Sequence, residues 1–348
     1  MDTIWVREIN ERDEWDRYVF AHERSGYCHL YNWRRVIRDA YRHESVYIAA
    51  IKKDSGKICG VLPLCCFKGL FHRPSLISIP FFDTCGILGD DEAIELSLLK
   101  GCAGIVSGQG VAVELRQQAE LTEPEKAMAG VLPDIYKEKV GLHLDLAGPQ
   151  QAVMAGFKSK LRSQIRKGGK NGLTWKIGKR ELLAPFYTVF SRNMRDLGSP
   201  VHAKRFFDAI FTHFYHHAFI CIVFYRSQPV AASFMFRFKR TLSNPWASSI
   251  RAFRHLNTNM FLYWQMIRFA CNTGMDTFDM GRSSKGAATY RFKKQWCPKE
   301  TQLFWYRWAG TDKTRKPSGE SLSIDPWKRI PVGVANLIGP MVRGHIPL

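Results

Sequence analysis

The sequence predicts a mixed α/β protein built as two similar domains in tandem. Three observations point there. At 348 residues the chain is long for one compact unit, and its 45% hydrophobic content supplies a core of ordinary size. Strand-like alternation and helix-like periodicity succeed one another along the whole chain. The same succession also occurs twice: a hairpin, a helix, a glycine, and a short strand ending at arginine, over roughly fifty-odd residues each time, as in a duplicated unit.

In the first half, Trp5–Ile9 reads as a strand, and Asp13–His22 and Tyr31–Tyr41 as helices. Val46–Ile51 and Ile58–Cys65 flank the turn Lys53-Asp-Ser-Gly-Lys57, a hairpin by its turn chemistry. Asp90–Val106 is a helix, followed by Gly110 and the strand Val111–Leu115, which ends at Arg116. Leu142–Leu146 alternates as a further strand. In the second half, Ala218–Phe224 and Val230–Phe238 flank the turn Tyr225–Pro229, and Ala247–Ile250 is another strand. The helix Met260–Asn272, Gly274 and the strand Thr277–Met280 lead to Arg282. The expected boundaries are a first domain at 1–148, a second at 149–310, and an extension at 311–348.

Between the halves, Phe157, Leu161 and Ile165 form one apolar stripe and Lys158, Arg162 and Arg166 a parallel basic one, which predicts a basic helix over 151–171. Gly168, Gly169 and Gly172 are expected to end it. Like charges at four-residue spacing repel, so the stripe suits either a solvated face or a polyanion. A second basic cluster, Tyr290-Arg-Phe-Lys-Lys-Gln-Trp296, follows the small-residue stretch Gly281–Gly286. If extended, it sets an aromatic face against a charged one, as an edge strand would. Its arginine and lysines also suit phosphate or carboxylate. Asn259 is placed to cap the helix at Met260 and to direct its free N–H groups at an anion.

The net charge of +20 implies an acidic partner: a phosphate-bearing cofactor, nucleic acid or an anionic membrane surface. The nine cysteines contain no CxxC pair, so reduced thiols in a cytoplasm are expected. The start lacks the apolar segment of a signal peptide, and no apolar run is long enough to span a bilayer. The tail Trp327–Val342 reads as an appendage that either packs on the body or touches the inner face of a membrane. Several motifs fail. Gly281-Arg-Ser-Ser-Lys-Gly286 is followed by Ala287-Ala288 where a phosphate loop needs Lys-Ser/Thr, and Ser283 is not in a GxSxG elbow. His213, His216 and His217 have no nearby carboxylate to complete a metal site, and no metal is expected.

The ordered set Lys160-Leu-Arg-Ser-Gln-Ile-Arg-Lys167, Met194-Arg-Asp-Leu-Gly-Ser-Pro200, Phe278-Asp-Met-Gly-Arg282 and Tyr290–Trp296 resembles the FemAB family. Within it, the chain is similar to the FemAB-like proteins associated with the exosortase/PEP-CTERM system of exopolysaccharide-producing bacteria. The likeness runs from about Trp33 to Trp308 and includes Gly60-Val-Leu-Pro-Leu64, the Pro80-Phe-Phe-Asp segment and Glu114-Leu-Arg116. It implies two tandem GNAT-like (acyl-CoA N-acyltransferase) domains that transfer an acyl or aminoacyl group to an amine of a cell-envelope precursor. The donor it implies is either aminoacyl-tRNA or acyl-CoA, with no permanently bound cofactor. The glycine-rich pyrophosphate loop usual in GNAT enzymes is not visible before Met260, and Cys297 stands where the branch usually has Gly.

On this reading Lys293, matching the lysine of the family's Phe-Lys motif, supports the donor end or the oxyanion. Tyr290 and Asp279 are candidates for proton handling. Arg162, Arg166, Lys167, Arg282, Arg291, Lys294, Asn259 and Trp33 are the candidate substrate contacts. The rival readings are a non-catalytic GNAT-fold scaffold of the exopolysaccharide machinery and a tRNA-binding protein.

Overall fold

The computed structural model describes residues 4–69, 74–106, 111–127, 132–308 and 325–347. Gly110 and most of the polar stretch after Gly310 lie outside the described residues. Two compact units emerge: Met1–Glu138 with Gln302–Glu320 and His345–Leu348, and Lys139–Thr301 with Ser321–Gly344.

The first unit begins with β1 (Ile4–Glu8), α1 (Arg12–Ala21), α2 (Trp33–Tyr41) and the hairpin of β2 (Glu44–Lys52) and β3 (Ile58–Phe67). Then come β4 (Ser75–Ile77), β5 (Leu88–Gly89), α3 (Glu92–Val106), β6 (Ala112–Gln117), α4 (Glu123–Lys126) and β7 (Asp134–Tyr136). The second unit has β8 (Lys139–Asp145), α5 (Gln150–Gly156), α6 (Ser159–Lys170), β9 (Leu173–Gly178), α7 (Leu183–Leu197) and α8 (Lys204–Phe214). It continues through β10 (Ala218–Tyr225), β11 (Gln228–Phe238), β12 (Thr241–Ser249), α9 (Thr258–Asn272), β13 (Thr277–Ser284), α10 (Ala288–Lys294) and β14 (Lys299–Gln302). The strand β15 (Phe304–Trp308) and the helix α11 (Val332–Arg343) complete the chain.

Both expected hairpins form: β2 pairs antiparallel with β3, and β10 with β11. The first sheet has the order β1-β2-β3-β4-β6-β15-β7, with β5 on β3; the second has the order β14-β8-β13-β12-β11-β10-β9. Each sheet contains a parallel neighbouring pair, β4 with β6 and β12 with β13, and the chain between the members of each pair includes a helix.

The unit boundaries differ from those expected at 148 and 310. β8, assigned from sequence to the first domain, pairs with β13 in the second sheet. β15, assigned to the second, pairs with β6 in the first. Each supplies backbone partners to an edge that would otherwise present unpaired N–H and C=O groups. The extension is divided as well. α11 belongs to the second unit, while the Pro347 carbonyl accepts the Phe81 N–H at 2.7 Å in the first.

The basic linker helix is two helices. Phe157 is extended (φ −78°, ψ 150°) and breaks the run, and its buried ring stands edge-on to Trp264 and Trp296 at 6.3 and 5.3 Å. Gly168 and Gly169 lie inside α6 rather than ending it. A Cβ on Gly168 would come within 2.9 Å of the Phe261 Cβ, so the missing side chain is what lets α6 lie against α9. Positive φ is needed at Gly172 (77°), just past the helix.

The second sheet is covered on both faces. Phe186, Phe206, Phe207, Phe234 and Trp246 interlock on one side, mostly edge-to-face, with centroids 4.9–5.8 Å apart. Leu142, Leu144, Met235, Leu242, Phe278 and Met280 pack with α9 on the other.

Candidate functional site

β12 and β13 run parallel but pair at three positions only: Thr241 with Thr277, Leu242 with Phe278, and Ser243 with Asp279. Beyond these they part, and an irregularity lies at the parting in each strand. In β12, Asn244 and Pro245 form a bulge against β11, where proline's missing N–H costs no ladder bond. In β13 the register against β8 slips between Asp279 and Arg282. Gly281 supplies the positive φ (70°) there, and its N–H donates to Asp279 Oδ1 at 2.8 Å. The strand therefore runs through Gly281-Arg-Ser-Ser284 instead of ending at Met280. The expected small-residue loop is mostly strand.

Asn244, the first β12 residue past the last paired position, is buried. The Ser233 hydroxyl donates to its Oδ1, and its amide adjoins the Tyr263 phenol, whose pKa burial raises. Tyr263 belongs to α9 and stacks on Trp296 at 5.9 Å, with Phe292 edge-on at 4.9 Å. These contacts explain why Tyr290–Trp296 is not the edge strand its alternation suggested. Coiled as α10, the segment sends Phe292 and Trp296, four apart, into the same core. Lys293 turns inward too. It is 9% exposed, and its ammonium donates to the Arg282 carbonyl at 2.8 Å, on the part of β13 that has left β12.

The chain passes from the end of β12 through a six-residue 3₁₀ segment, Arg251–Leu256, into α9, so the helix begins at the end of the sheet where the strands part. The cap is Asn257 in the left-handed region (φ 64°); Asn259, expected to cap, lies inside the first turn. Thr258 is wholly buried and its hydroxyl finds no hydrogen-bond partner among the described residues. The first N–H groups of a helix also lack internal partners and carry its positive dipole end.

The elements that meet this end are rich in cations. α6 packs on α9, and the Asn171 amide at its C-terminus donates to the Leu256 carbonyl at 3.3 Å. α6 and its cap carry Lys158, Lys160, Arg162, Arg166, Lys167 and Lys170. Among the described residues none of the six has an ion-pair partner. Arg162 is half-buried, and its Nε lacks a hydrogen-bond acceptor among the described residues. Arg251 and Arg254 are exposed on the 3₁₀ turn. No Asp or Glu occurs from Leu146 to Arg180 or from Ala209 to Met275. Cations this crowded, without acids to balance them, favour bound anion.

The first unit repeats the build with the opposite charge. The start of α3 is flanked by Asp90, Asp91, Glu92 and Glu95. A cavity of about 620 Å³ there is lined by His22, Arg24, Asp90, Glu95, Glu120 and Glu125 among others. Burial pushes the Glu95 carboxyl up, while the Arg24 guanidinium opposes the shift. A phosphate would be repelled.

The remaining candidates divide. Tyr290 donates its phenol proton to Glu300 Oε1 at 2.7 Å, a bond that raises its pKa. Lys294 pairs with the same carboxylate at 2.7 Å. Arg291 bonds the Gly286 carbonyl at 3.0 Å. Asp279 lies with His143, 3.7 Å away, and Arg282 on the sheet face opposite α9. Arg116, the first-half counterpart of Arg282, is wholly buried, held by Glu114 at 2.7 and 2.9 Å and by the Phe82 carbonyl at 2.8 Å, a structural role. Trp33 is corrected from a substrate contact to core. It is 0% exposed in the first unit, donates to the Tyr27 carbonyl and packs edge-on to Phe82. Sequence reasoning missed Ser233, Asn244, Thr258, Tyr263, Arg251 and Arg254. The one available signal was Asn244-Pro245 within an otherwise regular strand.

Residues 155–294 match the acetyltransferase (GNAT) domain family model. No curated protein sequence matches the chain. Among solved structures, FemX superimposes with a TM-score of 0.68 at 14% identity, over 87% of this chain and 97% of that one. The C-terminal domain of a putative lysylphosphatidylglycerol synthetase from Agrobacterium fabrum gives 0.58 at 12%, over 85% and 90%. A tandem GNAT protein from the clavulanic acid biosynthesis pathway gives 0.58 at 9%, over 89% and 100%. The architecture is a tandem of two GNAT-like folds, similar in structure to FemX.

Proposed function

We propose that the second unit transfers an acyl or aminoacyl group from a phosphate-bearing donor to an amine. The observation that carries this reading is the start of α9. The helix starts within a stretch that has no Asp or Glu, packs beside the basic α6 and follows one of two parallel strands that part after three pairs, and the buried Thr258 hydroxyl has no partner among the described residues. The parted strands leave backbone groups that a linear acyl chain or aminoacyl arm can pair with. In the reaction the acceptor nitrogen attacks the donor carbonyl carbon. A C–N bond forms, the C–O or C–S bond to the donor breaks, and the amine proton ends on the departing oxygen or sulfur. Holding the partners together supplies much of the rate. Arg162 and Arg166 would hold the donor phosphates. Lys293 would fix the Arg282 carbonyl and stabilise the developing oxyanion. The acceptor reading, an amine of a cell-envelope or exopolysaccharide precursor, rests on the family resemblance.

The test is donor binding by the full chain, with acetyl-CoA and aminoacylated tRNA compared, for the parent and for Arg162→Glu and Arg166→Glu. Each reversal should weaken binding of the true donor at least tenfold, as expected for charge-assisted hydrogen bonds. Unchanged binding of both donors by both variants would refute the site. Binding without transfer to any amine would favour the scaffold reading.

A further inference from the structure

We propose that α11 docks the protein on an anionic membrane surface, lying in the plane of the lipid headgroups. The inference goes beyond the transferase reading and does not depend on it.

α11 meets the second unit through small residues. Ala335 and Gly339, four apart, are both buried. A Cβ on Gly339 would come within 3.1 Å of Val201 and 3.4 Å of the Trp327 ring, so the helix is pressed close there. The other side is apolar and open. Val334, Leu337, Ile338 and Met341 are 45%, 74%, 36% and 71% exposed. At 100° per residue these four fall within an arc of about 100° on the helix. Soluble monomers seldom leave such a stripe bare.

Charge selects the occupant. Lys328 and Arg329 are exposed just before the helix, and Arg343 closes it. No Asp or Glu occurs from Pro326 to Leu348. An apolar stripe between basic ends matches the acyl boundary of a bilayer with negative headgroups around it. A second copy docked on the same face would bring like charges together. At 12 residues α11 is too short to cross a bilayer, and no helix among the described residues is long and apolar enough to do so. It therefore lies on the surface.

The test is co-sedimentation of the full chain with vesicles of phosphatidylcholine alone and of phosphatidylcholine with one-third phosphatidylglycerol. The parent should bind the anionic vesicles and pass the neutral ones. The exposed double variant Leu337→Asp/Met341→Asp should keep the parent's thermal stability and lose at least tenfold in vesicle affinity. Neutralising Lys328 or Arg329 to Gln should cost about fivefold each. Arg166→Glu should bind vesicles nearly as the parent does. If Arg166→Glu abolishes vesicle binding and the double variant does not, the membrane is held by α6 and the proposal falls. Failure to bind anionic vesicles also overturns it, as does a parent dimer that the double variant dissolves.

Discussion

The adjacent glycines of α6 give a sharp test of how the basic stripe is held against α9. A Cβ on Gly168 would meet the Phe261 Cβ, Cδ2 and Cγ at 2.9, 3.0 and 3.1 Å. The first of these atoms is fixed to the α9 backbone and cannot rotate away. A Cβ on Gly169 would meet only Phe261 Cε2, at 3.7 Å, an ordinary contact. Replacing a helical glycine by alanine gains up to about 1 kcal/mol from propensity alone. Gly169→Ala should therefore be neutral to stabilising, less than the full value because it lies in the last turn. Gly168→Ala has the same gain but must push α6 and α9 apart, and overpacking costs about 1–3 kcal/mol. The two variants should differ by about 1–3 kcal/mol in urea denaturation, with Gly168→Ala the weaker. Because the displaced helix carries Arg162 and Arg166, Gly168→Ala should also weaken donor binding, while Gly169→Ala leaves it unchanged. Equal stability and equal binding in the two variants would show that the close approach of these helices is not what positions the cations.

Lys293→Met keeps the length of the side chain but removes the bond to the Arg282 carbonyl. Transfer should be lost, while the chain stays folded and binds donor, and full turnover would exclude Lys293 from the reaction. Gly281→Ala forces a side chain into the left-handed region at the β13 bulge, a cost of about 1–2 kcal/mol. Gly281→Asn should cost less, read by denaturant midpoint. His202 is buried and neutral, held well below the usual histidine range by burial and by nearby Arg343. The unfolded chain takes up a proton below about pH 6.5 and the folded chain does not, so stability should fall by up to about 1.4 kcal/mol per pH unit below that point. His202→Phe, which keeps a ring on Phe206, should flatten that part of the stability–pH curve; an identical slope would assign the acid sensitivity elsewhere.

Much of the fold was legible because local periodicity follows from burial of one face. The hairpins at Val46–Cys65 and Ala218–Phe238 and the helix ending at Asn272 are visible in the order of apolar residues and turn signals. The basic stripe of α6 is visible for the same reason, since its Leu161–Ile165 face must be buried and the rest cannot be. What failed involved a choice between two local readings. Tyr290–Trp296 alternates well enough for a strand, and only the Tyr263 ring waiting four residues' reach away makes a helix the better burial. Gly168-Gly169 reads as a terminator until Phe261 is placed against it.

The sequence by itself determined the two hairpins, the helix ending at Asn272, the repeated order of hairpin, helix and strand, and the excess positive charge, because these depend on composition and on spacing along the chain. Only the tertiary structure decided which helix the basic α6 packs against, that β12 and β13 part beyond Ser243 and Asp279, and that Lys293 points inward. It also decided that β8 and β15 complete sheets other than those expected. Those outcomes depend on which faces meet across long sequence separations, where packing and edge pairing outweigh local preference.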